Sequence, residues 1–458
     1  MSTPRPLPQG SLVAFYGDDF TGSSAAMEAL AFAGLDTVLF LATPTTERLK
    51  AFAGYRGIGI AGIARSQKPE WMDANLPNIF ALLQTMGAPV VHYKVCSTFD
   101  SAPHVGSIGR AADIGAKLFH GWIPMIVADP GMGRFQSFGH LFALAKGRGY
   151  RLDRHPTMAK HPVTPMAESD LAVHLAQQTG LPCGLVDFVS MKRGLGNSSL
   201  DEALAEGARI VSLDVLDQDT LVEAGRLVWE RSEKPLFAIG SQGLEAALAA
   251  YWSAAGLLSG TTPLDRVTRV DRIACVSGSV SPVTADQIAH AVAHGFTGIR
   301  IRAEKAVDDR AWENELIHVR EEALAALANS ASPLVYTATG PDDPAVATLR
   351  QTVKTAGASL EAINDRIGSG LGRLLDSVSR QAKLKRVVIS GGDTSSHAAS
   401  MLGIDALTAI APLAPGSPLC FGHSTDPSRN GLQLALKGGQ VGRDDFFCVA
   451  RDGVGQQV

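Results

Sequence analysis

Short apolar runs recur along the chain, each closed by a glycine- or aspartate-bearing turn and followed by a stretch with helical spacing. Residues 12–16, 37–41, 57–63, 89–95 and 124–128 predict buried strands, and 23–33, 69–86 and 105–119 predict the helices between them. The alternation resumes at 184–189, 209–213 and 236–239. Strands alternating with helices are the mark of an α/β domain with a mainly parallel sheet.

Two places interrupt that rhythm. Residues 131–168 hold His140, His155 and His161, several Pro and Gly, and Arg134, Arg148, Arg151 and Arg154, and predict an irregular, functional excursion over the domain surface. At 257–271 helical spacing stops and Gly, Thr and Pro take over, which predicts a linker. A second α/β series follows, with strands expected at 273–276, 298–301, 334–337, 386–390 and 407–410. The fold class expected is therefore α/β, with two α/β domains of mainly parallel sheet, 1–256 and 272–458, meeting at an active-site cleft.

Composition narrows the function. A chain of 458 residues exceeds one ordinary core, and 45% hydrophobic with 19% charged residues fits a packed soluble protein. A formal charge of −4 leaves no basic excess for holding a nucleic acid, so an anionic ligand must be caught locally by backbone N–H groups and a few placed cations. Five scattered cysteines without a C-x-x-C pair argue against a disulfide framework or a structural zinc site. The polar, Pro-rich start MSTPRPLPQG is no signal peptide, and no run approaches the ~18 apolar residues of a membrane span. A cytoplasmic protein with no membrane partner is expected, homo-oligomerisation being left open.

Candidate chemistry in the first half sits at strand ends, where ligands of open α/β sheets collect. Asp18 and Asp19, within Gly17-Asp18-Asp19-Phe20-Thr21-Gly22, offer carboxylates that can accept a hydroxyl proton or help hold Mg²⁺; the plainer reading is that Asp19 only caps the next helix. Lys94, followed by Ser97 and Thr98, combines a cation with two short hydroxyls, which suits a carboxylate bearing neighbouring hydroxyl groups. Arg65, just past the 57–63 strand, is a third cation able to converge there. Gly240-Ser241-Gln242-Gly243 resembles a nucleophile elbow, but Ile239 stands where that motif needs glycine, so a tight turn with Ser241 facing the cleft is expected instead.

The second half carries three glycine-rich turns: Val276-Ser277-Gly278-Ser279-Val280-Ser281, Ser390-Gly391-Gly392-Asp393-Thr394-Ser395, and Lys437-Gly438-Gly439-Gln440-Val441-Gly442. Glycines admit a phosphate close to the backbone, and hydroxyls and helix N-termini add donors. Three such turns in one domain predict a nucleotide site, with a helix expected at 397–401 after the second turn. Gly368-Ser369-Gly370-Leu371-Gly372 follows no strand and predicts a helix cap or break. No Gly-Lys dipeptide, no strand-linked G-x-G-x-x-G and no H-E-x-x-H occurs, which excludes a Walker A loop, a dinucleotide fingerprint and a zincin.

Together G-D-D-F-T-G, K-V-C-S-T, G-S-V-S, G-G-D-T-S and K-G-G-Q-V-G resemble, in order and over nearly the whole chain, the four-carbon acid sugar kinases, which include tetronate, 3-oxo-tetronate and 3-oxo-isoapionate kinases. The resemblance implies an N-terminal sugar-acid-binding domain and a C-terminal nucleotide-binding domain. It implies substrate contacts from Asp18 or Asp19, Arg65, Lys94, Ser97 and Thr98, and ATP contacts from Ser279, Gly391, Gly392, Asp393, Thr394 and Gly439. Typical members read S-T-L-R-G where this chain has Ser97-Thr98-Phe99-Asp100-Ser101, and G-G-E-T where it has Gly391-Gly392-Asp393-Thr394. The lost arginine argues against plain D-threonate or D-erythronate, and the wording around both strand ends looks closer to the 3-oxo-isoapionate kinase branch.

The expected reaction is in-line transfer from Mg²⁺·ATP to a hydroxyl of an acid sugar, with Asp18 or Asp19 as catalytic base. An acid-sugar oxidoreductase or lyase, or a non-catalytic nucleotide or sugar-acid sensor, are the alternatives. The missing dinucleotide fingerprint and the missing basic patch count against them.

Overall fold

The computed structural model describes residues 3–145, 147–161, 163–232, 235–258 and 266–453, excepting the side chain of Asp393. The chain divides into two compact units, Met1–Leu39 with Thr43–Thr262 and Phe40–Ala42 with Pro263–Val458. Of the linker expected at 257–271, residues 259–265 lie outside the described ones.

In the first unit the strands are β1 (Val13–Gly17), β2 (Thr37–Phe40), β3 (Gly57–Ala61), β4 (Val90–Lys94), β5 (Ile123–Ile126), β6 (Arg134–Ser137), β7 (His140–Ala145), β8 (Arg148–Arg151), β9 (Cys183–Val186), β10 (Ile210–Leu213) and β11 (Leu236–Gly240). Among the described residues the main sheet runs β2-β3-β1-β4-β11-β5-β10-β9. The pairs from β3 through to β9 are parallel. β1, β3, β4 and β11 are buried along their whole length, as strands covered by helices on both faces must be. Val13, Val90 and Leu236 lie level in three adjacent strands, so β1, β4 and β11 end together at Gly17, Lys94 and Gly240.

The segment expected to be irregular is instead built. β6, β7 and β8 form a separate three-stranded antiparallel sheet. β6 turns into β7 through Phe138 and Gly139 alone, with φ of 49° and 78°, the double left-handed pattern of a type I′ hairpin. Phenylalanine is strained there, and the Asp214 carboxylate offsets this by accepting the N–H groups of Phe138 (2.6 Å) and Gly139 (3.0 Å).

In the second unit the strands are β12 (Ala274–Ser277), β13 (Phe296–Arg300), β14 (Ser332–Tyr336), β15 (Arg386–Ser390), β16 (Ala406–Ala414), β17 (Ser417–His423) and β18 (Gln433–Lys437). Their order is β13-β14-β12-β15-β18-β17-β16, parallel up to β18 and antiparallel beyond it. Ile273, Cys275, Ile288, Leu334, Val388, Ala435 and Phe447 are among the residues of its core.

Two expectations fail here. Gly368, Gly370 and Gly372 neither cap nor break a helix; they lie inside helix Leu360–Gln381. A Cβ at each would meet His397 Cβ at 2.8 Å, Trp312 Cζ2 at 2.7 Å and the Ala398 carbonyl at 2.6 Å, so the glycines let neighbouring helices approach. The helix expected at 397–401 is Gly392–Ala399, beginning directly after β15. Gly391, at φ 120°, makes that abrupt junction possible. Among the described residues no helix is long and apolar enough to cross a membrane.

Candidate functional site

Backbone hydrogen bonds knit three neighbouring strand ends of the first unit. The Asp18 N–H donates to the Lys94 carbonyl (2.9 Å), and the Arg65 N–H donates to the Asp18 carbonyl (3.1 Å). Arg65 stands on the turn Ala64–Ser66 just past β3. Asp18, Asp19, Arg65 and Lys94 are thereby brought to one end of β1, β3 and β4.

The two aspartates are not equivalent. Asp19 caps helix Phe20–Phe32: Oδ1 accepts the Gly22 N–H (2.9 Å), and Oδ2 accepts the Thr21 hydroxyl (2.7 Å) and Arg65 Nη1 (3.0 Å). Both its oxygens are engaged. Asp18 is 2% exposed and its Oδ1 has no hydrogen-bond partner among the described residues. Burial, reinforced by the Asp19 charge and opposed by Arg65 and Lys94, pushes its pKa from 3.8 up to about 7. Such a carboxyl exchanges a proton near neutrality.

Lys94 is 1% exposed, and no hydrogen-bond or ion-pair partner is found for its ammonium among the described residues. A buried cation without a partner is costly unless a ligand supplies the anion. Ser97, half-buried, likewise has no hydrogen-bond partner among the described residues. The Thr98 hydroxyl donates to Asp100 Oδ1 (2.6 Å) and touches Cys96 Sγ (3.0 Å).

Two features escaped the sequence. Phe99 takes φ 54°, turning the chain so that Asp100 faces back to Arg65, whose Nη2 donates to it at 2.8 Å. Burial alone would raise the Asp100 pKa, but the Arg65 guanidinium and Thr98 hydroxyl outweigh it and hold the carboxyl well below the usual range. Asp100 is therefore the second anchor of Arg65.

The other feature is Arg134, on β6 of the small sheet. Its Nη1 donates to the Met132 (3.1 Å) and Gly133 (3.3 Å) carbonyls, and its buried Nε has no partner among the described residues. Burial lowers its pKa, opposed by the nearby charges of Cys96, Asp129 and Asp100. The sequence offers it only as one of four arginines in the irregular, functional segment expected at 131–168. Ser241 does not face a cleft: it is fully buried and its hydroxyl donates to the Val127 carbonyl (2.6 Å).

In the second unit, β12, β15 and β18 are adjacent and parallel, so their three glycine turns stand side by side. The Gly278 N–H donates to the Ser390 carbonyl (3.1 Å) and the Gly391 N–H to the Lys437 carbonyl (2.8 Å). A Cβ on Gly439 would lie 2.8 Å from Ser279 Oγ, and one on Gly391 3.2 Å from both the Ser279 N and Thr394 Oγ1. Ser279, Gly391, Thr394 and Gly439 thus converge, and Gly392 begins the helix that follows, with open space where its Cβ would be. The Asp393 backbone belongs to that helix; its side chain lies outside the described part.

Lys437, fully buried, holds the third turn: Nζ donates to Thr284 Oγ1 (3.2 Å) and to the Gly438 (2.9 Å) and Val441 (3.3 Å) carbonyls. Burial brings its pKa down to about 7. Backbone N–H groups, small hydroxyls and side-chain-free turns are the donor set of a phosphate cradle.

Residues 13–248 match a family model described as a sugar-binding N-terminal domain, and 274–447 one described as a nucleotide-binding C-terminal domain. The chain is 49% identical to the 3-oxo-isoapionate kinase of Paraburkholderia graminis, over 97% of this chain and 95% of that one. It is 29% identical to the 3-oxo-tetronate kinase of Pectobacterium atrosepticum, over 95% of this chain and 97% of that one. A crystal structure from Salmonella typhimurium LT2 is similar at a TM-score of 0.74 and 22% identity, covering 96% of this chain and 98% of that one. At that identity the likeness speaks for fold alone.

Proposed function

This chain belongs to the four-carbon acid sugar kinase family, and we propose that it transfers the γ-phosphoryl group of ATP to a hydroxyl of a 3-oxo acid sugar, the branched five-carbon 3-oxo-isoapionate ahead of 3-oxo-tetronate. The order of substrates rests on 49% identity to the one kinase against 29% to the other. The observation that carries the chemistry is the pairing at neighbouring strand ends of Asp18, with a pKa of about 7 and one oxygen unpartnered among the described residues, and Lys94, a buried cation with no hydrogen-bond or ion-pair partner among them.

In this reading Lys94, Ser97 and Arg134 hold the acid sugar's carboxylate and neighbouring oxygens. Arg65, tied to Asp19 and Asp100, fixes the shape of the site. Asp18 accepts the proton of the acceptor hydroxyl as that oxygen bonds to the γ-phosphorus, and the bond to the bridging oxygen breaks to leave ADP. Ser279, Gly391, Gly392, Asp393, Thr394 and Gly439 line the phosphates, and Lys437 keeps the third turn in place. Phosphoryl transition states are loose, so positioning of this kind supplies most of the acceleration.

Mg²⁺ is carried mainly by the phosphates with one or two carboxylates, and it neutralises their charge. Asp18 fits that role too, because its Oδ1 is unengaged, and Asp393 follows the two glycines of the second turn.

The test is ADP release by the purified protein with 3-oxo-isoapionate, 3-oxo-tetronate, D-threonate and D-erythronate. The expected order is 3-oxo-isoapionate first and the plain tetronates last. ADP release no faster with any acid sugar than with none would overturn the assignment.

A further inference from the structure

In the second unit, at the other end of the helix that follows the first glycine turn, lies a group the kinase reaction does not use. Helix Pro282–Ala293 carries His290 and is closed by His294, one turn further on, and helix Phe446–Asp452 brings Cys448 against them. One donor atom from each of the three lies within 4.8 Å of the others. The imidazoles stack with centroids 4.0 Å apart and planes 15° from parallel.

Two details prepare these side chains as ligands. His294 Nδ1 lies 2.7 Å from the His290 carbonyl, which fixes the proton on Nδ1 and leaves the Nε2 lone pair outward. That is the backbone hydrogen bond that commonly orients a metal-binding histidine. Cys448 is half-buried with no disulfide. Burial pushes its thiol pKa up, against the nearby Arg451 and together with Asp452 and Asp445, so a metal has to displace its proton.

We propose that His290, His294 and Cys448 form a binding site for Zn²⁺ or a similar borderline divalent transition-metal ion, with the fourth position left to water. Two imidazoles and a thiolate select such ions over Mg²⁺ or Ca²⁺, which take oxygen ligands. With Zn–N near 2.0–2.1 Å and Zn–S near 2.3 Å, tetrahedral ligand atoms stand about 3.5 Å apart. Closing from 4.8 Å therefore asks for about 1 Å of movement, and one imidazole must also turn out of the stack so that both lone pairs meet at the ion, a change open to the exposed His294 side chain.

The site would brace the nucleotide turns without touching them. His290 lies about 12 Å along its helix from Pro282, at 1.5 Å per residue. On the same helix Gln287 donates to the Val441 and Arg443 carbonyls (both 3.0 Å), and on the other helix the Phe446 ring lies 5.8 Å from Lys437 Nζ. An ion joining the two helices would hold the third turn from behind.

The experiment is a titration of the chelator-treated, full-length protein with Co²⁺, read by its thiolate-to-metal charge-transfer band and visible d–d bands. One equivalent should produce both, and Zn²⁺ should erase them. Cys448→Ser should abolish the charge-transfer band, and His294→Ala should weaken Co²⁺ binding at least tenfold. Being an exposed position, His294 keeps the test usable if the cysteine variant does not fold. Neither variant should change ADP release by the protein stripped of transition metal and assayed with Mg²⁺·ATP. A wild-type protein without the charge-transfer band, a band that survives Cys448→Ser, or unchanged affinity in His294→Ala overturns the proposal.

Discussion

The ammonium of Lys94 lies over the α-carbon of Gly22, so close that a Cβ on Gly22 would overlap Lys94 Nζ and Asp19 Oδ1 together. Glycine at that place leaves room for the Lys94 ammonium, the cation proposed to meet the acceptor's carboxylate. Gly22→Ala should displace Lys94 and strain the helix cap. Steady-state kinetics should show KM for the acid sugar rising at least tenfold, while KM for ATP changes less than twofold.

Asp18 and Asp19 should part company on substitution. Asp18→Asn should lower kcat by roughly 10²–10⁴, the usual share of a general base, with ADP affinity by calorimetry unchanged. Asp19→Ala, which removes the cap and the Arg65 anchor, should cost roughly 1 kcal/mol of stability, seen in a denaturant melt. If Asp19→Ala leaves the melt untouched but removes turnover, the two roles are reversed.

The raised pKa of Asp18 has a signed consequence for stability. The folded state holds this proton more tightly than the unfolded chain, so the contribution is full below pH 3.8 and is lost as pH rises to about 7. Asp18→Asn should therefore gain stability relative to the parent chain across that window and hold a constant advantage above it. Urea unfolding at pH 5, 6, 7 and 8 reads this directly. A difference that shrinks as pH rises contradicts the assigned shift.

Arg134 stands on the small antiparallel sheet, outside the parallel one, and in the proposed reading it holds the acceptor. Arg134→Ala should raise KM for the acid sugar ten- to a hundredfold, with kcat falling far less. Arg134→Lys should recover only part of the loss, since an ammonium cannot reproduce a planar fork. Full recovery by lysine would reduce the residue to a diffuse positive charge.

Gly439→Ala places a methyl 2.8 Å from Ser279 Oγ, where the third turn faces the first. Nucleotide affinity should fall about tenfold, measured by ADP titration, with KM for the acid sugar nearly unchanged. Equal weakening of both ligands would mean that the turn is a general structural element.

The parallel strands and glycine turns were visible in the sequence because their causes are local: an apolar run, then small residues, then a helix. Boundaries of the parallel strands shifted by one to three residues, as with 12–16 against Val13–Gly17 and 184–189 against Cys183–Val186. What stayed hidden depends on residues far apart in the chain. The Phe138–Gly139 hairpin lacks the usual Asn-Gly and is held by Asp214, 76 residues from Phe138. The Arg65–Asp100 bridge depends on a left-handed Phe99, which no pattern announces. Asp18 and Asp19 look alike in sequence; only the partners of their oxygens separate them. Cys448 and His290 are likewise paired by the fold alone.

The small antiparallel sheet has one more implication. Arg134 rides on β6, apart from the strands whose ends carry Asp18 and Lys94, so on the proposed reading the acceptor would be gripped from two mechanically distinct supports. Altering the hairpin should then change which acids are welcomed while proton transfer and triphosphate handling stay as they were, and swaps of residues 134–151 between relatives would be a direct route to new acceptor preferences.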